Sequence, residues 1–341
     1  AKRLATVKDD EDRHNYEYVF YGDTFFDTSK DPKWSGMGHE MIAFTHYYIV
    51  ENGEAFYLHA GESVSIEDIE VPHIRHDFRE TSDDKGDWDR LMNAISDGIG
   101  RGEMTKVVAS REVQFTSDTP FNVASILANL VENNPNCFIF GYEKDGRTFV
   151  GASPEILVRH RGSEILSYAL AGTAPKDGPN AWTKEQLISD KKNLFEHNIV
   201  RDRIVNTMKQ ITPDVTVGET GIMELAHLYH LRTIITAKDS TKSLVEWAKL
   251  LHPTPALGGE PREKAMALLE TYEAHERGMY AAPFGFMKDM GDGIVVVAIR
   301  SALIMDNILY AYAGCGVVAD SDADEEYIET NNKMRTILDA L

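Results

Sequence analysis

The chain has 341 residues, of which 43% are hydrophobic and 26% charged, an ordinary globular composition with ample apolar side chains for a large core. Its 55 acidic and 35 basic residues give a formal net charge of −20, which argues against nucleic acids and anionic membrane surfaces as partners. A small anionic substrate would need a pocket that Lys, Arg or a metal ion makes locally positive.

The N-terminal stretch and the cysteines predict the compartment. The stretch AKRLATVKDDEDRHN lacks the apolar core of a secretory signal, and no apolar run in the chain reaches the length of a membrane span. Cys137 and Cys315 are too few for a disulfide framework. We therefore expect a cytoplasmic protein with reduced thiols and no membrane partner.

Hydrophobic periodicity predicts strands that alternate with helices. In chain order, the predicted strands cover residues 42–50, 55–59, 106–115, 137–142, 147–152, 294–302 and 309–313. The predicted helices cover residues 88–99, 123–133, 183–209, 243–251 and 261–274, with a final helix that begins near Asp322. Asp145-Gly146 and Asp306-Asn307 mark hairpin turns. Hairpins interleaved with helices predict an α+β fold, a single large domain of mostly antiparallel sheets with flanking helices.

The final helix places two carboxylates and an amine on one face. Glu326 and Glu329 are three residues apart, and Lys333 follows four residues after Glu329. Just upstream, the small residues of AGCG would let a ligand approach the backbone closely. Carboxylates beside such a strand suit a hard cation such as Mg²⁺, and a nearby Lys suits a substrate carboxylate. The same spacing is equally typical of a solvated helix face with a salt bridge.

Glu196, in the long middle helix, is a second candidate metal ligand. Its neighbours one turn further on are apolar, so its carboxylate needs a partner. Arg203 or His197 could be that partner, and a metal ion shared with Glu329 is the functional alternative.

Seven motifs in a fixed order give the strongest signal. They are GASPEIL, ALAGTAP, DKKNLFEHNIV, LHPTPALGGEP, ERGMYAAPFGF, AIRSALI and YAGCGVVADSDADEEYIETNNK. From about residue 90 to residue 341, the chain resembles the chorismate-utilising enzymes, which include isochorismate, salicylate, anthranilate and aminodeoxychorismate synthases. The resemblance implies the fold of anthranilate synthase component I, with a chorismate-binding catalytic region at 91–341. Residues 1–90 would be a strand-rich section of the same domain, shorter than in most of the family.

The resemblance also implies binding roles for particular residues. Glu196 and Glu329 match the family's Mg²⁺ ligands, with Glu326 in support, and the ion grips the substrate's ring carboxylate. The positions that match the family's substrate-binding residues are Gly172, Thr173, His230, Thr254, Tyr280, Arg300, Gly314 and Lys333. Arg300 and Lys333 would supply the positive charge that a net charge of −20 makes necessary.

Lys106 and Glu155 match the family's general base and general acid. A neutral Lys106 would take a proton from water as that water attacks C2 of the chorismate ring. A protonated Glu155 would protonate the departing C4 hydroxyl. Free Lys and Glu have pKa values of about 10.4 and about 4.3, so both values must shift, and burial shifts each in the required direction.

The motif PTPALGG favours the isochorismate synthase branch. Salicylate synthases and the amino-transferring enzymes more often have a Ser-Gly-x-Pro-Lys version, and the Lys that aminodeoxychorismate synthases use as a nucleophile is replaced here by Arg262. Three alternatives stay open: a salicylate synthase that also eliminates pyruvate, an ammonia-using subunit with a glutaminase partner, and a binding-only module. Lys106 argues against the second, so we expect no obligatory glutaminase partner. No motif specifies assembly, and the family resemblance implies a monomer. Whether the product feeds menaquinone or siderophore synthesis is left open.

His227 and His230 are three residues apart, as in a zinc-binding pair. No third ligand stands at a recognisable spacing, and the family that the chain resembles is not a zinc family. His230 matches a pocket-wall His in that family, so the resemblance implies a structural or substrate-positioning role.

Overall fold

The computed structural model describes residues 6–7, 18–28, 30–51, 54–59, 62, 64, 71–288 and 291–341. In these residues the strands are β1 (Thr6–Val7), β2 (Tyr18–Gly22), β3 (Glu40–Ala43), β4 (His46–Glu51), β5 (Glu54–His59), β6 (Phe78–Glu80), β7 (Lys106–Ser117), β8 (Phe138–Lys144), β9 (Arg147–Ser153), β10 (Ile156–Arg161), β11 (Glu164–Pro175), β12 (Val215–Val217), β13 (Gly221–Glu224), β14 (Leu228–Lys238), β15 (Gly259–Glu260), β16 (Pro283–Lys288), β17 (Gly293–Val297), β18 (Ser301–Met305) and β19 (Ile308–Val317). The helices are α1 (Lys85–Gly100), α2 (Val123–Asn133), α3 (Lys184–Ser189), α4 (Lys191–Lys209), α5 (Leu244–Leu251), α6 (Arg262–Tyr272) and α7 (Ala323–Leu338).

Two large sheets form the molecule. The nine-stranded sheet has the order β12-β14-β11-β10-β17-β16-β2-β3, with β13 also paired to β14. The seven-stranded sheet has the order β15-β7-β19-β18-β9-β8, with β6 also paired to β7. A three-stranded sheet, β1-β5-β4, contains the parallel pair β1–β5, whereas the pairs in the two large sheets are antiparallel. The predicted α+β fold with mostly antiparallel sheets and flanking helices is therefore confirmed.

Three hydrophobic clusters hold the helices on the sheets. The largest packs α4 and α5 against the nine-stranded sheet, with Val200 and Trp247 fully buried. A second packs α2 and α7 against the seven-stranded sheet through Leu130 and Met334. A third places α1 and α6 against β7 and β19. Both large sheets therefore have helices on them, as expected for antiparallel sheets with one apolar face.

Two predicted strands are each divided into two in the structure, because the two parts belong to different sheets. Residues 42–50 form β3 and β4, and these strands belong to different sheets. Residues 294–302 likewise form β17 in the nine-stranded sheet and β18 in the seven-stranded sheet. The break between β17 and β18 includes Arg300, whose φ of 53° is left-handed and ends the extended conformation.

The predicted helix over residues 183–209 is two helices, α3 and α4. Asp190 lies between them with extended backbone, and its side chain accepts a hydrogen bond from the Asn193 N–H at 2.8 Å, so it caps α4. Asp322 caps α7 in the same way, by accepting from the N–H groups of Asp324 and Glu325. The two caps fix where the helices that contain Glu196, Glu326 and Glu329 begin.

Candidate active site

Glu155 and Arg300 lie where the chain crosses between the two large sheets. Residues 153–155 connect β9 to β10, and residues 298–300 connect β17 to β18. The two crossings are hydrogen-bonded to each other, since the Val297 N–H donates to the Glu155 carbonyl at 3.1 Å and the Ala152 N–H donates to the Arg300 carbonyl at 3.1 Å. This seam between the sheets holds the acid and the guanidinium in one rigid frame.

Glu155 is a buried carboxyl in its protonated form at neutral pH. Its side chain is 2% exposed, and Oε1 has no hydrogen-bond partner among the described residues. Burial raises the pKa of Glu155 from 4.5 to about 8, against the opposing charges of Lys106, Arg300 and Lys333. A carboxyl in that state can donate a proton at neutral pH, as the sequence predicts for a general acid.

Lys106, at the start of β7, is fully buried beside Glu196. Its Nζ lies 2.8 Å from Glu196 Oε1, an ion pair without hydrogen-bond geometry. The two side chains meet against Gly316, where an added Cβ would overlap Glu196 Oε1 and lie 2.7 Å from Lys106 Cε. Gly316 is thus the glycine of AGCG that makes room for the pair.

The three predicted metal-ligand carboxylates each face a lysine. Glu196 pairs with Lys106, Glu326 pairs with Lys192 at 2.9 Å, and Glu329 pairs with Lys333 at 2.6 Å; the lysines are placed by β7, α4 and α7 respectively. Neither Arg203 nor His197, the two protein partners considered for Glu196 in the sequence analysis, contacts it. Arg203 pairs with Glu260, whereas His197 Nδ1 donates to the Ala171 carbonyl and its Nε2 accepts from the Thr233 hydroxyl.

The carboxylates act on one another electrostatically. Burial raises the pKa of Glu329, Lys333 lowers it, and the charges of Glu326 and Glu196 raise it further. Burial lowers the pKa of Lys192, but the charges of Glu326, Glu329 and Glu196 outweigh burial and raise it. The charges of the three acids therefore influence one another, in addition to the lysine with which each acid is paired.

The three carboxylates are suitable ligands for a hard divalent cation, but in this structure each of them is paired with a lysine ammonium group. Carboxylate oxygens are the ligands that Mg²⁺ takes in proteins. In the part of the chain that the structure describes, no three His, Cys, Asp or Glu side chains are arranged so that they could hold a metal ion. A cation at this site would have to displace at least one of the lysines from its carboxylate.

Arg300, His230 and Thr173 form a chain of hydrogen bonds across the nine-stranded sheet. Arg300 Nη2 lies 2.7 Å from His230 Nε2, and His230 Nδ1 lies 3.0 Å from Thr173 Oγ1. Burial and the charge of Arg300 lower the pKa of His230 well below its ordinary value, so the ring is neutral. Because the guanidinium only donates, Nε2 accepts and the ring proton is on Nδ1, which fixes the orientation of Arg300.

Gly172 lets α4 pack tightly against β11. It has φ +79° and lies at a bulge between Ala171 and Thr173, where the register against β14 shifts. A Cβ there would lie 3.0 Å from the Asn193 carbonyl oxygen, and the Thr173 N–H donates to Asn193 Oδ1 at 2.9 Å. The bulge thereby sets the position of α4, which contains Glu196.

Gly314, Tyr280 and Lys333 form another part of the site wall. Lys333 Nζ donates to the Gly314 carbonyl at 2.9 Å, and a Cβ on Gly314 would lie 3.0 Å from the Tyr280 hydroxyl. Burial raises the pKa of Tyr280 well above its ordinary value, so it stays a hydrogen-bond donor. This wall presents donors suited to a carboxylate.

A narrow cleft of about 60 Å³, partly open to solvent, joins these groups. Eight of the predicted site residues line it: Glu155, Thr173, Glu196, His230, Tyr280, Arg300, Gly314 and Lys333. Four other predicted residues do not line the cleft but have the contacts described above: Lys106, Gly172, Glu326 and Glu329. Thr254 is 2% exposed and does not line the cleft either, and its carbonyl accepts from the N–H groups of Leu257 and Gly258.

Arg277 is a lining residue that the sequence reasoning missed. It is 1% exposed and donates to the carbonyls of Leu257 at 2.7 Å and Val108 at 2.8 Å, while its Nε donates to Glu273 at 2.8 Å. It therefore attaches the PTPALGG loop to β7. The spacing of four between Glu273 and Arg277 was the available signal, but it is also typical of an ordinary surface pair.

His227 lies outside the cleft and is held by two carboxylates. Its Nδ1 is 2.9 Å from Asp177 and its Nε2 is 2.9 Å from Asp339, and Arg335 also contacts Asp177 at 2.8 Å. His230 instead faces Arg300. Among the described residues, the two histidines therefore contact different groups.

Similarity to known proteins gives the family. The profile of the family described as "Chorismate binding enzyme" matches residues 67–341. Isochorismate synthase MenF of Bacillus subtilis is 36% identical over 264 residues, which cover 76% of this chain and 56% of that relative. Isochorismate synthase DhbC of the same organism is 32% identical over 265 residues, covering 73% of this chain and 67% of DhbC.

A solved structure agrees with the sequence matches. That of MenF, the menaquinone-specific isochorismate synthase from Escherichia coli, has a TM-score of 0.80 at 26% identity and covers 96% of this chain and 80% of its own. This chain spans just over half the length of Bacillus subtilis MenF. No helix in the described part of the chain is long and apolar enough to cross a membrane. The sequence profile and these similarities together show that the chain belongs to the chorismate-binding enzyme family.

Proposed function

We propose that this chain is an isochorismate synthase that converts chorismate into isochorismate with Mg²⁺ as cofactor. The observation that supports this most is Glu155, a buried carboxyl that lines a cleft beside Arg300 and Lys333 and whose pKa burial raises to about 8. Isochorismate synthases among the similar proteins support the same choice.

The reaction needs one base and one acid on a single substrate. Lys106, once it has given up its proton, accepts a proton from water while the water oxygen forms a bond to C2 of the ring. Both ring double bonds shift, from C1=C2 and C5=C6 to C1=C6 and C4=C5, the C4–O bond breaks, and Glu155 protonates the leaving oxygen, which departs as water. One water enters and one leaves, so the reaction is an isomerisation.

The substrate's carboxylates determine its orientation. Arg300 is held by neutral His230, so its remaining donors are free to bind a carboxylate, and Lys333 adds a second positive charge to the site wall. Tyr280 contributes a neutral hydroxyl donor beside Gly314. These groups provide the local positive charge that the acidic protein as a whole lacks.

Mg²⁺ would be held by Glu196, Glu326 and Glu329. When bound, it would neutralise the substrate's ring carboxylate and orient it in the cleft. The proximity of the three acids supports this assignment: burial raises the pKa of Glu329 most, and the charges of Glu326 and Glu196 raise it further.

Water, and not ammonia, is the proposed nucleophile. Lys106, the proposed base for water, is present beside Glu196 and Gly316, at a position where the ammonia-using relatives typically lack Lys. We accordingly propose that the enzyme acts in the cytoplasm as a monomer without a glutaminase subunit.

Incubation of the purified chain with chorismate and Mg²⁺, with and without EDTA, tests the proposal. Chromatography should show isochorismate as the product, and its formation should cease with EDTA. Salicylate together with pyruvate would instead assign the chain to the lyase reaction. Conversion that needs ammonia or a glutaminase, or no conversion, would contradict the proposal.

A further inference from the structure

Lys192 is a charged side chain at the candidate metal site to which the proposed reaction assigns no role. It lies in the first turn of α4, and its Nζ is 2.9 Å from Glu326 Oε1. The Glu326 side chain is 5% exposed, so Lys192 partners a carboxylate that is almost fully removed from water. A buried carboxylate without such a partner would be strongly destabilising.

The candidate metal site is balanced in charge without any added cation. Three carboxylates face three ammonium groups: Lys106 on Glu196, Lys192 on Glu326 and Lys333 on Glu329. A divalent cation added to this arrangement would bring two uncompensated positive charges into a partly buried region. Binding therefore requires that at least one ammonium moves away.

Exposure and partners indicate which lysine can leave. The Lys106 side chain is 0% exposed and that of Lys333 is 13% exposed, whereas that of Lys192 is 31% exposed. Lys333 also donates to the Gly314 carbonyl, and Lys106 is packed against Gly316. For Lys192, Glu326 is the hydrogen-bond partner that the structure gives, and solvent is directly accessible from its position.

We propose that Lys192 is an internal counter-ion that occupies Glu326 in the cation-free enzyme and competes with the divalent cation for it. This inference rests on the proposed Mg²⁺ site. On binding, the cation takes Glu326 and the Lys192 side chain turns outward into water. The competition stabilises the empty site against carboxylate repulsion and weakens cation binding by the free energy of the ion pair that must be broken.

Cation binding to the purified chain without substrate tests this role directly. Mn²⁺ binding is measured by electron paramagnetic resonance and Mg²⁺ binding by calorimetry, for the wild type, Lys192→Met and Lys191→Met. We expect Lys192→Met to bind either cation about tenfold more tightly, the scale of one partly buried ion pair. Lys191 is the adjacent, exposed residue of α4, so Lys191→Met makes the same change in net charge and should leave the affinity unchanged.

Two further variants separate charge from shape. Lys192→Arg keeps the positive charge and should bind the cation with wild-type affinity. Lys192→Gln removes the positive charge and should bind the cation as tightly as Lys192→Met. Unchanged or weaker binding by both Lys192→Met and Lys192→Gln would overturn the competition, as would equal tightening by Lys191→Met.

The proposed function is tested separately by product formation from chorismate. If isochorismate forms but the Lys192 variants bind the cation with unchanged affinity, the counter-ion role of Lys192 is contradicted and the proposed function is not. Absence of saturable cation binding in the wild type and in Lys192→Met would remove both the metal site and the competition.

Discussion

At the scale of single residues, the candidate acid and base are buried without pairing to each other. Lys106 pairs with Glu196, while Glu155 Oε1 has no hydrogen-bond partner among the described residues. Leaving a buried polar atom unpaired costs about 1–3 kcal/mol, which a purely structural carboxyl would not be expected to impose. Its position in the cleft is consistent with a group kept protonated for proton transfer.

Glu155→Gln should separate proton donation from binding. The amide keeps the shape of the carboxyl but cannot donate a proton to a leaving hydroxyl, so kcat should fall about 10²–10⁴-fold with KM little changed. Steady-state kinetics with chorismate measure both values. A variant with wild-type kcat would exclude Glu155 as the acid.

The pH profile of the wild type should reflect the same group. Glu155 is protonated below its pKa of about 8, so kcat/KM should decline as the pH rises through about 8. The unfolded chain ionises Glu155 near pH 4.5, while the folded chain keeps it protonated, so this group also makes the protein less stable as pH rises from about 4.5 to about 8. Denaturant unfolding of wild type and Glu155→Gln at several pH values measures this: the variant should gain stability relative to wild type across that window. Parallel stabilities at all pH values would contradict the raised pKa.

Lys106→Ala should abolish water addition while cation and chorismate binding persist. The substitution removes the proposed base, and Glu196 loses an ammonium partner without losing its carboxylate, so cation binding has no reason to weaken. Rapid-quench assays measure product formation, and calorimetry measures the binding of cation and chorismate. Lys209→Ala, at the exposed end of α4, is the control. Near-normal turnover would contradict the general-base role.

At the scale of elements, local patterns predicted what local forces determine. The hairpin of β18 and β19, the cap of α7 and the apolar face of α1 are set by turn residues, capping and periodicity, all of which can be read from sequence. The division of 294–302 could not be read this way. Its apolar residues continue through the break, and the left-handed backbone at Arg300 is imposed by the crossing from one sheet to the other.

Asp190 links the start of α4 to the position of the site. Asp190→Ala removes the cap that Asp190 gives to the Asn193 N–H, which should lower the free energy of unfolding by about 1 kcal/mol. Because Asn193 also holds Thr173, and Lys192 and Glu196 lie in the same first turns, KM for chorismate should rise as well. Ser243→Ala removes a comparable cap from α5, which does not line the cleft, and should lower stability alone. Denaturant unfolding and kinetics on both variants distinguish the effects; equal KM changes would contradict a local role.

At the scale of the whole molecule, the site belongs to both sheets at once. Family resemblance predicted the eight lining residues from their motifs, but no motif states that Glu155 and Arg300 occupy adjacent crossings. Arg277 and Lys192 were missed for a related reason. Their partners are distant in sequence, at Val108 for Arg277 and at Glu326 for Lys192, so only the folded chain reveals the contacts.

A site shared by both sheets predicts that ligand binding stabilises the molecule as a unit. Calorimetry of Glu155→Gln, which should bind chorismate without turning it over, should show one unfolding transition that moves upward when chorismate and Mg²⁺ are added. At a ligand concentration of 100 Kd the gain should be about 2.7 kcal/mol, because only the folded chain binds. Adding Arg300→Ala should remove most of the shift, since Arg300 lies at the seam and faces the cleft. Two transitions of which only one responds to ligand would mean that the sheets unfold separately and that the cleft belongs to one of them.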